Sequence, residues 1–78
     1  MKERIIEILT DLRPEFDFSQ NGVDFIEEGM LDSFDVVSLV DALDTEFSIV
    51  IDGIDIIPEN FSSIYSIIEL LKKNGVTE

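Results

Sequence analysis

The chain has 78 residues, the length of one domain, and we expect residues 1–78 to fold as a single unit. Its 18 acidic residues against 5 basic ones give a formal net charge of −13, which disfavours nucleic acid and anionic membranes as partners. Cysteine and histidine are absent, so the sequence offers no disulfide framework, no Ser–His–Asp or cysteine nucleophile and none of the usual zinc sites.

The first predicted element is an amphipathic helix. Its apolar residues share one stripe about 100° wide, namely Met1, Ile5, Ile8, Leu9 and Leu12. Pro14 cannot continue a helix, and it moves the preceding Arg13 out of the helical conformation. The charged start is unlike a signal peptide, and the sequence has no run of about 20 apolar residues. We therefore expect a cytoplasmic protein that does not insert into membranes.

A long connection, residues 14–31, follows, with turn signals at Asn21-Gly22 and at Gly29. Connections of this length are uncommon in small domains and are often functional. It opens an acidic region, because residues 15–62 contain thirteen acidic side chains and no lysine or arginine, whereas the flanking segments are neutral. A solvated face is one explanation, but such faces usually mix the two signs. The concentration of one charge favours a surface that binds basic proteins.

The middle segment gives the clearest helical pattern. Its core-facing residues fall within about 100° of arc, namely Val36, Leu39, Val40, Leu43 and Phe47. Asp32 precedes this pattern as a favourable N-cap and places Ser33 at the first helical position.

The opposite side of this helix combines apolar and polar residues. Phe34 and Val37 point away from the core stripe, and the polar residues of this side are Ser38, Asp41 and Thr45, with Asp44 at its edge. The two apolar side chains are either the isolated apolar residues of an ordinary surface or the anchor of a protein interface with a charged rim.

The next connection is apolar and has two interpretations. Aliphatic runs over residues 49–51 and 54–57 flank Asp52-Gly53, which is a hairpin signal. A lone two-stranded hairpin is marginal in water, however, and Pro58 suits the first turn of a short helix through Phe61. We therefore expect a loop and a short helix and keep the hairpin as an alternative. The acidic residues here do not fill an EF-hand loop, so no metal site is predicted.

A third amphipathic helix ends the chain. Its apolar stripe consists of Ile64, Ile67, Ile68 and Leu71. Ser62 or Ser63 suits the N-cap, and Gly75 suits the end of the helix. Two lysines, at 72 and 73, complement the negative C-terminal end of the helix dipole.

The stretch from Gly29 to Phe47, GMLDSFDVVSLVDALDTEF, resembles the acyl carrier protein family. In that family an Asp-Ser pair opens the second helix, an apolar residue follows the serine, and a helix with Val/Leu spacing ends near an acidic residue and Phe. Each of these features is present here, and the resemblance extends over roughly residues 2–73. It implies an all-α fold, a small four-helix bundle of acyl-carrier type, with three main helices, a short third helix and a long first loop.

The resemblance also implies a function. Ser33 would accept 4′-phosphopantetheine from coenzyme A, with Asp32 as the helix cap and motif residue. The thiol of the arm would carry acyl or aminoacyl groups as thioesters between enzymes of fatty-acid, polyketide or related biosynthesis. The protein would not be an enzyme, because a phosphopantetheinyl transferase would modify it and separate ligases would load it. The Gly-x-Leu-Asp-Ser pattern looks more like stand-alone carriers of aminoacyl or specialised acyl groups than like fatty-acid carriers.

The family's second helix is a docking surface for basic patches on transferases, synthases and loading enzymes. Carried over by position, the partner-binding candidates beside Asp32 are Phe34, Asp35, Val37, Asp41 and Asp44. The aliphatic residues of 49–57 would line the core or form one wall of a cleft for an acyl chain. The negative charge favours a monomer. The alternative is an acidic helical interaction domain that docks a basic protein without covalent modification.

Overall fold

In the computed structural model, which describes residues 1–77, the chain is all-helical. The helices are α1 (Lys2–Leu12), α2 (Ser33–Phe47) and α3 (Ile64–Lys73), and two short 3₁₀ helices, Gly53–Asp55 and Pro58–Phe61, lie between α2 and α3. None of residues 1–77 forms a β-strand. The predicted all-α class is confirmed, and so is the loop with a short helix after α2. The hairpin alternative is wrong, and the predicted short helix is a 3₁₀ helix.

The boundaries of α1 follow from its sequence. The helix ends at Leu12, and Arg13 leaves the helical region with φ −136° and ψ 79°, as expected for a residue before proline. Ile5, Ile8 and Leu9 are buried. Through this face α1 packs against both α2 and α3.

The long connection between α1 and α2 supplies a large share of the core. Phe18 and Phe25 are fully buried, and their rings meet edge to face with centroids 5.1 Å apart. The Phe25 amide donates to the Ser62 carbonyl (2.8 Å), and the Phe25 carbonyl accepts from the amides of Met30 and Leu31. These contacts hold the connection against the entrance to α3 and bring the chain to the start of α2.

The buried face of α3 differs slightly from the predicted stripe. Ile67, Leu70 and Leu71 are buried, whereas Ile64 and Ile68 are only half-buried. The helix is therefore rotated so that Leu70, which was not predicted, faces the core. Of the two candidate caps, Ser62 and Ser63, the structure shows Ser63: its hydroxyl accepts from the amide of the third helical residue (3.0 Å).

The C-terminal end of α3 turns away through Gly75, which has φ +88°. A left-handed residue after the last helical turn is the usual way to satisfy its free carbonyls. Here the Val76 amide donates to the Leu71 carbonyl (3.0 Å). None of the helices within residues 1–77 is both long and apolar enough to span a membrane.

Candidate functional site at the start of α2

Ser33 is the first residue of α2, and a reciprocal capping box fixes its position. Asp32 Oδ1 accepts from the Asp35 amide (2.9 Å), and Asp35 Oδ2 accepts from the Asp32 amide (3.0 Å). The predicted N-cap is therefore confirmed, and two of the free amides at the start of α2 are satisfied. The Ser33 side chain is exposed, and its hydroxyl takes no part in the cap. A change at that hydroxyl can leave the helix start intact.

Arg13 reaches from the end of α1 to this cap. Its Nε donates to Asp35 Oδ2 (2.9 Å), and its Nη2 lies 2.7 Å from the same oxygen and 3.3 Å from Asp32 Oδ2. Its Nη1 bonds Glu15 Oε2 (3.3 Å). One guanidinium therefore contacts both carboxylates that flank Ser33 in the capping box.

The charge state of the cap follows from this contact. The hydrogen bond from Arg13 holds the pKa of Asp35 below its ordinary value, although burial of the carboxylate acts in the opposite direction. The same hydrogen bond, followed by the one to Glu15, raises the pKa of Arg13. At neutral pH the site therefore contains the ionised Asp35 carboxylate and the charged Arg13 guanidinium.

Asp35 was predicted to contact a partner, and the structure corrects its placement. Its side chain is 12% exposed and its carboxylate is bonded to Arg13 and to the Asp32 amide, so it faces inward. The physical reason is that, in a capping box, the side chain of the third helical residue points back to the backbone amide of the N-cap residue. Sequence analysis missed this role, although an Asp-x-x-Asp spacing at the helix start is a usable signal for it.

Three of the predicted partner residues do lie on an open face. Phe34 is 84% exposed and Val37 is 65% exposed, and Asp41 is exposed further along the same helix. Asp44 is different, because it is half-buried and its Oδ1 accepts from the Ile51 amide (3.1 Å). Asp44 thus holds the start of the second connection. We call Phe34, Val37 and Asp41 the outward face of α2.

A small open cleft lies next to Ser33. It has a volume of about 250 Å³, and its other lining residues are Val36, Val37, Ile56 and Pro58. Drug-sized ligands usually need about 300 Å³ or more, so the cleft suits a narrow apolar segment. The exposed hydroxyl therefore stands beside a short apolar wall made by α2 and the second connection.

The other acidic residues of the second connection have structural partners. Asp52 accepts from the Ile54 amide (3.1 Å), and Asp55 forms an ion pair with Lys73 (2.7 Å) that ties the connection to the end of α3. Within residues 1–77 no group of three or more acidic side chains is arranged to hold a metal ion.

Comparison with protein-family models, with curated proteins and with solved structures finds no match to this chain. The function of the protein is therefore inferred from its own residues. The features available for that inference are the exposed hydroxyl of Ser33, the cap that holds it, the cleft beside it and the outward face of α2.

Proposed function

We propose that this protein is a stand-alone acyl carrier protein that bears 4′-phosphopantetheine on Ser33. The observation that carries the proposal is the exposed Ser33 side chain at the first position of a helix that Asp32 caps, in an Asp-Ser-Phe sequence. A serine at a helix start ordinarily serves as the cap. Here Asp32 is the cap, so the hydroxyl is free for another task. The three α-helices, long first loop and short 3₁₀ helix also fit a bundle of acyl-carrier type.

The modification uses Ser33 Oγ as the nucleophile. A bond forms between this oxygen and the phosphorus that carries pantetheine in coenzyme A, and the pyrophosphate P–O bond breaks. Adenosine 3′,5′-bisphosphate leaves, and the hydroxyl proton passes to a base of a separate transferase. The chain has no histidine to serve as that base, and the Asp35 carboxylate is bonded to Arg13. The protein is thus a substrate of this reaction and not its catalyst.

The residues around Ser33 fit a phosphodiester and an attached arm. The N-terminal end of α2 carries the positive end of the helix dipole, which favours an anion. The cleft lined by Val37, Ile56 and Pro58 offers apolar contact to a narrow chain. When attached, the arm supplies the thiol that the cysteine-free chain lacks, and acyl or aminoacyl cargo is carried on it as a thioester.

The outward face of α2 would be the docking surface for the enzymes that modify and load the carrier. Phe34 is a nearly fully exposed aromatic side chain, and aromatic residues are frequent anchors of protein interfaces. Asp32 and Asp41 are exposed on either side of it along the chain, which favours partners with basic patches. We expect a cytoplasmic monomer that serves fatty-acid, polyketide or related biosynthesis.

A second candidate function uses the same face without modification. In it, Phe34 and Val37 anchor a basic protein partner, and Ser33 is only the first residue of the helix. The observation that favours it is the large exposure of both apolar side chains.

The deciding experiment is the intact mass of the chain before and after incubation with coenzyme A and a promiscuous phosphopantetheinyl transferase. We expect a gain of one phosphopantetheine group, absent in Ser33→Ala and retained in Ser38→Ala. Ser38 is the matched control, because it is another exposed serine of α2. Circular dichroism should show that both variants fold.

A mass gain in Ser33→Ala, or none in the wild type with that transferase or one from the source organism, contradicts the carrier function. Absence of any gain favours the acidic interaction domain.

A further inference from the structure

We propose that Arg13 is a positioning residue for the modification of Ser33, acting through the two carboxylates of the capping box. It would hold in place the helix start that carries the Ser33 hydroxyl, and it would offset the charge that modification adds. This inference rests on the proposed function and assigns it a residue outside the Asp-Ser-Phe sequence and outside α2.

The contact joins distant parts of the chain. Arg13 lies 22 residues before Asp35 and 19 before Asp32, and it bonds both. Its position follows from Pro14, which takes the preceding residue out of the helix at the end of α1. The Arg13 side chain is 31% exposed and the Asp35 side chain is 12% exposed, so the contact between them is partly shielded from water, whereas the Asp32 side chain is 58% exposed. An arginine fork in this position constrains both carboxylates at once.

The charges around Ser33 give this contact a role in the modification. Among residues 1–77, Arg13 is the basic residue that forms ion pairs with Asp32 and Asp35. Arg4 is paired with Glu7 and Glu46, and residues 15–62 contain no lysine or arginine. Modification replaces a neutral hydroxyl with a phosphodiester, which brings one more negative charge to two carboxylates. Without the guanidinium, three anions would lie at one helix start.

Loss of Arg13 would also disturb the position of the serine. Asp35 would become a mostly buried carboxylate without a counter-charge, which is strongly unfavourable. It would then take up a proton or turn toward water, and either change weakens its hydrogen bond from the Asp32 amide. Asp32 and Ser33 are consecutive, so the backbone that carries the hydroxyl would be held less firmly.

The test compares Arg13→Gln, Arg13→Lys and Arg4→Gln in the steady-state kinetics of Ser33 modification. Arg4→Gln is the matched control, because it removes the same charge from another ion-paired arginine whose partners lie away from Ser33. We expect Arg13→Gln to lower the transferase kcat by about tenfold, with a KM equal to that of the control. Arg13→Lys should recover part of the loss, because it keeps the charge without the fork.

A second measurement, hydrogen exchange of unmodified protein, tests the cap itself. The Asp32 and Asp35 amides should exchange faster in Arg13→Gln than in the wild type or in Arg4→Gln. All kinetics are taken below the melting temperature of each variant, so that partial unfolding does not lower the rate.

The outcomes separate the two proposals. If Arg13→Gln is modified with the kcat of the wild type, or if Arg4→Gln loses as much, the inference about Arg13 is wrong and the carrier function stands. If the wild-type chain is not modified, the proposed function is wrong, and the role of Arg13 in it falls too.

Discussion

The inward and outward faces of α2 both contain apolar residues, but only those of the inward face are buried. Val36 is 8% exposed, and its neighbour Val37 is 65% exposed. Leu39 and Leu43 are completely buried on the side of Val36, whereas Phe34 is 84% exposed on the other. Packing explains the apolar residues of the inward face, because burial stabilises them. Little within residues 1–77 covers Phe34 and Val37, so these apolar side chains gain little of that stabilisation and suit contact with another molecule.

The largest expected difference between the two faces is the loss of stability in Leu39→Ala. Leu39 is fully buried, so its truncation removes buried surface and leaves a cavity, and we expect the free energy of unfolding to fall by about 3 kcal/mol. Urea unfolding with an unchanged m value measures it. Val37→Ala is the control on the outward face and should change the free energy by about 0.5 kcal/mol or less. Equal costs at the two positions would contradict the division of the helix into two faces.

The opposite pattern is expected for Phe34→Ala. Its side chain is exposed, so stability should change by about 0.5 kcal/mol or less. Modification of Ser33 should nevertheless become about tenfold less efficient, because a central aromatic anchor commonly contributes more than 1 kcal/mol to an interface. The measurement is kcat/KM of the transferase, with Tyr65→Ala as the control. Tyr65 is an exposed aromatic residue of α3, and an equal loss there would show that Phe34 has no particular role.

Features that depend on neighbouring residues could be predicted from the sequence, and features that depend on the packing of the whole chain could not. The inward stripe of α2 and the N-cap at Asp32 were predicted, because helical period and capping are local properties. Phe18 and Phe25 were not predicted as core, because the first connection has no period that marks an inward side. Their burial depends on where the connection packs, which is a property of the whole fold.

The candidate site divides in the same way. Ser33 and the exposure of Phe34 and Val37 follow from the helix and its start. The ion pair between Arg13 and Asp35 spans 22 residues, so only the packing of α1 against α2 brings the two together. The Asp35 carboxylate, which the sequence suggested as a contact for a partner, is therefore bonded to Arg13 in the fold.

The inward-facing carboxylate of Asp35 makes the stability of the fold depend on pH. The pKa of Asp35 is lowered in the folded chain by Arg13, so its ionised form stabilises the fold at neutral pH. That stability is lost as the pH falls from the ordinary aspartate pKa through the lower folded value. Asp35→Asn should therefore be less stable than the wild type at neutral pH, and the difference should shrink in acid.

Urea unfolding over a series of pH values measures this difference. Asp41→Asn is the control, because it removes one exposed charge from the same helix. A difference between the wild type and Asp35→Asn that stays constant down to the most acidic condition would show that the contact with Arg13 does not depend on the charge of Asp35.

The smallest expected effect on stability is at the C-terminal end of α2. Ser48 closes α2 in the left-handed conformation, with φ +54° and ψ +48°, and its amide donates to the Asp44 carbonyl. Ser48→Gly should stabilise the fold by about 0.5 kcal/mol, because relief of left-handed strain, roughly 1 kcal/mol, exceeds the extra chain entropy that glycine loses, about 0.5 kcal/mol. Thermal unfolding measures the gain, and Ser33 modification should be unchanged, since Ser48 lies at the opposite end of the helix. A loss of stability would mean that the Ser48 side chain holds the start of the second connection.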